Sequence, residues 1–184
     1  MASFDKVESK LSWVYLINLI FYFIPLFTVK FSPWQYLGML LALLLFLSCY
    51  FWAYRCNRRQ MDWPIAGIVV VAALITPLNP GSISMFAYAV FFIGFAYALT
   101  RFLLLISVLV GLLVVLEFTL TIHWNLFLGM GVPIIVLVSF LGRVEQTKLR
   151  HRLAERQSED EIKQLATMVE RERFGRDLHD ILGH

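Results

Sequence analysis

Long apolar runs separated by short polar segments fill the first 142 residues of the chain. A helix needs about 20 mostly apolar residues to cross the hydrocarbon core of a bilayer. The pattern therefore predicts six membrane-spanning helices, with five as the alternative if the first run does not cross completely. The third run is short for a span. The runs are 11–29, 34–54, 63–78, 83–100, 102–122 and 125–142.

The composition supports a membrane protein, because 59% of the residues are apolar, against about 45–50% in soluble domains. The charges divide sharply along the chain. Residues 1–142 hold seven Lys/Arg and four Asp/Glu, whereas residues 143–184 hold nine of each. The formal charge of +3 therefore belongs to the apolar part, and it gives no reason to expect direct binding to nucleic acid.

The basic residues predict the orientation of the spans, because cytoplasmic loops carry an excess of Lys and Arg. The loop at 77–82 and the region around His123 have no Lys or Arg, and only Lys30 lies on the opposite side from the other basic residues. We expect both ends of the chain to be cytoplasmic, in a multi-pass protein of the cell (inner) membrane in contact with lipids. The basic loops and tail hold Arg55, Arg58 and Arg59, then Arg101, then Arg143 onward.

From Arg143 the pattern changes to a segment without proline and rich in strong helix formers, which predicts that the sixth span continues into a long helix. Ile162, Leu165 and Val169 follow the 3-4 spacing of a coiled-coil seam, but Leu149 and Leu153 define another stripe. The nine residues from Leu153 to Ile162 are not a whole number of heptads. We expect a marginal dimeric connector that switches between two nearly equal registers. The alternative is a solvated linker helix with many salt bridges.

The last segment contains the candidate reactive residue, His179, which is followed directly by Asp180. His184 comes four residues after Asp180, so the two share a helix face. The two histidines are five residues apart, or about 140° around a helix. This angle excludes a helical zinc pair, and we expect no metal site. By itself, a histidine in a charged helix is usually a surface residue.

The run ERERFGRDLHDILGH at 170–184 resembles the phosphoacceptor box of the DesK-like sensor histidine kinases, E-R-x-R-[IV]-A-R-[ED]-L-H-D-x-L-G-[HQ]. The resemblance implies that His179 is the phosphorylated histidine and that Asp180 assists as general base. It also implies that His184 orients a water when the phosphorylated partner is hydrolysed. Phe174 and Gly175 depart from the aliphatic-Ala pair of the family, and Gly weakens a helix by about 1 kcal/mol relative to Ala.

The resemblance implies an ATP-dependent protein histidine kinase with phosphatase activity toward its response regulator. Such a kinase is a homodimer, and it binds ATP and Mg²⁺ in a catalytic domain. This chain contains no Gly-rich nucleotide-binding loop, so we expect it to be an N-terminal part that binds no cofactor and is inactive alone. Resemblance to this family also implies sensing of membrane thickness or fluidity.

The predicted architecture is all-α: a polytopic transmembrane helical bundle that continues into a cytoplasmic coiled-coil helix carrying the phosphoacceptor. Residues 1–142 form the sensor domain, 143–169 the connector, and 170–184 the start of the dimerisation and phosphoacceptor helix. The alternative function is a non-enzymatic multi-span membrane protein, transporter-like or a scaffold, with a coiled-coil tail.

Overall fold

The computed structural model describes residues 16–57, 60–119 and 125–182, and it describes the backbone alone for 125–128, 130, 175 and 177–182. Within these residues the chain is all-α and forms six α-helices, preceded at α1 and α4 by the short 3-10 turns Leu16–Leu19 and Pro80–Ser82. The helices are α1 Ile20–Thr28, α2 Pro33–Arg55, α3 Asp62–Ile75, α4 Ile83–Ala96, α5 Leu99–Thr119 and α6 Asn125–Leu182.

Each apolar run predicted from the sequence coincides with one α-helix or with part of one, but several boundaries differ from the prediction, including the ends of α3 and α4. The third run continues to residue 78, whereas α3 ends at Ile75 and passes into a turn. The fourth and fifth runs are almost joined, yet α4 ends at Ala96 because the next residue, Tyr97, has an extended backbone. Apolar side chains continue across both helix ends, so hydropathy alone does not reveal them.

Two helices, α2 and α5, are long and apolar enough to cross a membrane by length and composition. The other apolar helical segments in the described ranges are shorter: Leu16–Thr28, Asp62–Ile75 and Pro80–Ala96. Large apolar side chains on the two long helices face outward, including Leu44 on α2 and Leu104 on α5. These helices therefore present apolar surface to their surroundings.

The core lies around α4, which packs against α2 through a cluster of aromatic rings. The ring of Tyr88 lies 5.3 Å from that of Phe46 and 5.4 Å from that of Tyr50, between ring centroids. Phe92, one turn further along α4, lies 5.7 Å from Tyr50. Aromatic pairs at such distances add to the stabilisation from burial alone, so this cluster joins the second and fourth helices.

A buried polar cluster joins α1 to the turn between α3 and α4. The Asn79 amide Nδ2 donates to the carbonyl of Tyr22 over 3.0 Å, and its Oδ1 accepts from the N–H of Gly81 over 2.8 Å. The Tyr22 hydroxyl donates to the carbonyl of Met39 on α2 over 2.9 Å. A Cβ on Gly81 would lie 2.9 Å from Cα of Tyr22, so glycine permits this close approach. The sequence predicted only a loop at 77–82.

The chain divides into two units with the boundary between Val144 and Glu145. In the first unit α4 is almost entirely buried. In the second unit every side chain from 150 to 174 is exposed. The expectation that the sixth apolar run and the connector form one long helix is confirmed, since α6 extends over Asn125–Leu182.

Candidate functional site

The predicted phosphoacceptor residues lie on the last turns of α6. The backbone is helical through Leu182, so His179 and Asp180 occupy consecutive helical positions, about 100° apart around the axis. Their side chains, and that of Asp177, are not described. His184 lies outside the described residues. The structure therefore shows a helical backbone at His179 and Asp180, and their roles stay a prediction.

The residues before His179 form a solvated, charged helical surface. Arg176 Nη2 and Glu172 Oε1 are 3.6 Å apart, one helical turn from each other, and both side chains are more than two-thirds exposed. An exposed pair of this kind stabilises a helix by about 0.3–0.5 kcal/mol. Phe174 is also exposed, at 67%. The helix continues past Gly175, so this residue does not end it.

The five residues proposed to switch the connector all lie on α6, and their apolar side chains are at least partly exposed in the single chain. Ile162, Leu165 and Val169 each have about three-fifths of their surface exposed. Leu153 is less exposed, at 38%, and Leu149 is half-buried. The stripe formed by Ile162, Leu165 and Val169 is therefore exposed over two helical turns, as expected for a surface that packs against another helix.

The sequence interpretation missed a set of contacts where the first unit ends, which we name the Tyr97 junction: Asp62, Tyr97, Phe102 and Arg143. Arg143 Nη1 donates to the backbone carbonyl of Tyr97 over 2.9 Å, and its guanidinium carbon lies 4.9 Å from the centroid of the Phe102 ring. The Tyr97 hydroxyl donates to the carboxylate of Asp62. Burial, together with this hydrogen bond, raises the pKa of Tyr97 well above its ordinary value.

The Tyr97 junction joins four helices through residues that are far apart in the sequence. Asp62 begins α3, Tyr97 follows α4, Phe102 lies in the first turn of α5, and Arg143 lies on α6. The only signal in the sequence was the position of Arg143 as the first charged residue after the sixth apolar run. Its hydrogen bond to a carbonyl at the end of α4 is favourable, because the last carbonyls of a helix attract cations.

Next to the junction, α4 and α6 are in backbone contact through two glycines. A Cβ on Gly142 would lie 3.2 Å from Cα of Gly94, and it would overlap the carbonyl oxygen of Phe91. A Cβ on Gly94 would overlap the carbonyl oxygen of Ser139. Neither glycine can therefore take a side chain without movement of the backbone.

Among the described residues, no group of three His, Cys, Asp or Glu side chains is arranged to hold a metal ion. No protein-family model matches this chain, and neither a curated protein nor a solved structure matches it.

Proposed function

We propose that this chain is the membrane sensor and phosphoacceptor part of a two-component histidine kinase. The observation that carries the proposal is the sequence at 170–184, which fits the phosphoacceptor box of the DesK-like kinases at nearly every specified position. The helical backbone through Leu182 and the exposure of the side chains from 150 to 174 support the assignment. A kinase domain and a response regulator must both reach the histidine, and an exposed helix allows such access.

Membrane insertion is supported by the apolar surface of the first unit. Within α5, whose residues are all described, only Leu109 and Leu113 are buried. In water, exposed apolar surface of this extent marks a binding site or a membrane contact. We propose that these helices lie in the cell membrane as six spans, or as five if the first run does not cross completely, with α6 continuing on the cytoplasmic side.

In the proposed chemistry, the His179 imidazole attacks the γ-phosphorus of ATP, so that an N–P bond forms as the P–O bond to ADP breaks and ADP leaves. The attacking nitrogen must carry no proton, and the carboxylate of Asp180 orients the ring and accepts the proton of the other nitrogen. ATP and Mg²⁺ would be bound by the catalytic domain of the kinase, where the metal would neutralise charge on the transferring phosphoryl group. The phosphoryl group then passes from His179 to the response regulator. His184 orients the water that later hydrolyses the phosphorylated regulator.

The functional unit is proposed to be a homodimer. A second copy of α6 would cover Ile162, Leu165 and Val169, which are exposed in the single chain. The input is proposed to be bilayer thickness or fluidity. The connections between helices that the structure describes are short, 29–32, 76–82 and 97–98, so the bilayer itself is the simplest stimulus for this arrangement.

The proposal is tested by phosphorylation of His179. The chain in lipid vesicles is incubated with Mg²⁺, radiolabelled ATP and the ATP-binding domain of a DesK-like kinase. We expect acid-labile label on the parent chain and none on His179→Gln. The matched control is His151→Gln, because His151 is exposed on the same helix and is not followed by an acidic residue. This variant should be labelled like the parent.

Label that persists in His179→Gln would contradict the assignment of the phosphoacceptor. Absence of label in every chain would favour the alternative, a non-enzymatic multi-span protein with a coiled-coil tail.

A further inference from the structure

Ile135, two turns before Gly142, is fully buried, but the glycine contact between α4 and α6 does not by itself fix the rotational setting of α6 at Arg143. At the crossing each helix presents a glycine, Gly94 on α4 and Gly142 on α6, so the backbones touch without interlocking side chains. The neighbouring Ser139 is buried, but its hydroxyl donates to the carbonyl of Val136 on its own helix, over 2.8 Å. A smooth contact of this kind resists separation more than rotation.

Arg143, immediately after Gly142, supplies a directional contact. Its guanidinium donates to the Tyr97 carbonyl and lies over the Phe102 ring. These two contacts need different features of the side chain, a donor pointed at the carbonyl and a flat cation against the ring. The structure makes both contacts at once. The side chain of Tyr97 donates its hydroxyl to Asp62, so the residue that accepts from Arg143 also contacts α3.

We infer that Arg143 is a latch that holds α6 in one rotational setting against the corner between α4 and α5, and that opening the latch changes phosphorylation of His179. The second part rests on the proposed function. The physical reason is that α6 is one helix from Asn125 to Leu182. A rotation of α6 at Arg143 is therefore transmitted along the helix to the connector, where Leu153 and Ile162 belong to different registers.

The first experiment measures the latch without reference to phosphorylation. Cys49 and Cys56 are replaced by alanine, and spin labels are placed at Trp63→Cys on α3 and Phe140→Cys on α6, both exposed positions of the first unit. The labelled chain is diluted with unlabelled chain in phospholipid nanodiscs. The distribution of distances between the two labels is measured by pulsed electron paramagnetic resonance.

We expect one narrow distribution in the parent and a second, displaced population in Arg143→Gln. A hydrogen bond from a charged donor changes a two-state equilibrium by about tenfold or more, so the ratio of latched to unlatched chain should fall by about that factor. Arg143→Lys keeps a donor but not the flat cation, and should give an intermediate ratio. Phe102→Leu removes only the ring and should also be intermediate.

The matched control is Arg150→Gln, an exposed arginine on the same helix, which should reproduce the parent distribution. If Arg143→Gln does not fold, the distance distributions of Arg143→Lys and Phe102→Leu still decide whether the latch exists. Parent-like distributions in every variant that folds would overturn the latch.

The second experiment compares the rate of His179 labelling in the same variants, with the ATP-binding domain supplied. We expect the rate to change in Arg143→Gln and not in Arg150→Gln. Altered distances with an unaltered labelling rate would overturn the regulatory part of the inference. Absence of label in the parent would instead reject the proposed function, and the distance measurement would still decide whether the latch exists.

Discussion

Two neighbouring helices, α4 and α5, are almost equally apolar in sequence but have opposite environments. Ten of the 14 residues of α4 are buried, against two of the 21 residues of α5. The aromatic residues of α4 pack on α2, whereas Leu103, Leu104 and Val108 of α5 face outward. An apolar sequence thus predicts an apolar environment without specifying whether protein or lipid provides it. Side-chain volume and close packing matter at α4, whereas at α5 apolar character alone suffices.

The largest effect should come from truncating an aromatic ring of α4. Phe92→Ala leaves a cavity next to Tyr50, and we expect the free energy of unfolding to fall by about 3–5 kcal/mol. The matched control, Phe118→Ala on α5, removes the same atoms from a side chain that is 78% exposed, and should change it by less than about 0.5 kcal/mol. Unfolding by sodium dodecyl sulfate in mixed micelles measures both. Equal losses would show that α5 is packed against protein.

Smaller effects on the free energy of unfolding are expected at two glycines, and the two effects should have opposite signs. Gly94→Ala places a methyl group against the Ser139 carbonyl and should destabilise the fold by about 1–3 kcal/mol. Gly111→Ala on α5 meets no atom within 4 Å, and should stabilise it by about 0.5–1 kcal/mol because alanine favours a helix. The same unfolding measurement applies. Destabilisation by Gly111→Ala would reveal a partner helix on that face of α5.

The smallest effect on folding is expected in the connector, where an apolar stripe is exposed on a largely charged part of α6. Glu155→Leu with Ser158→Leu extends the frame of Ile162, and each added side chain should favour that register by about 1 kcal/mol when a second copy covers it. We expect His179 labelling to lose its dependence on bilayer thickness, with no change in unfolding of the first unit. The measurement compares labelling rates in vesicles of short-chain and long-chain lipids.

The control for the connector is Glu159→Leu with Gln164→Leu, which adds two leucines outside both frames and should leave the response intact. A full response in the variant with Leu at positions 155 and 158 would show that competing registers play no part in switching.

The sequence predicted the six helices well, because each contains a run of apolar residues that continues for several turns. It did not predict where α3 and α4 end, since apolar residues continue across both ends. The Tyr97 junction was also missed, because Arg143 and the Tyr97 carbonyl are 46 residues apart in the chain. The candidate site, in contrast, was assigned from the sequence, and the structure adds little to it. The assignment of His179 came from the residues around it, and the structure adds the helical backbone there.

The hydrogen bond between Asn79 and the backbone of Tyr22 has a consequence for synthesis of the protein. The two residues are 57 positions apart, so this contact cannot form when α1 leaves the ribosome. The helix is short, at nine residues, and contains Pro25, which weakens it further. The first helix therefore gains its hydrogen bond from Asn79 only after α2 and α3 have been made, and its final placement is a late event in biogenesis although it comes early in the chain.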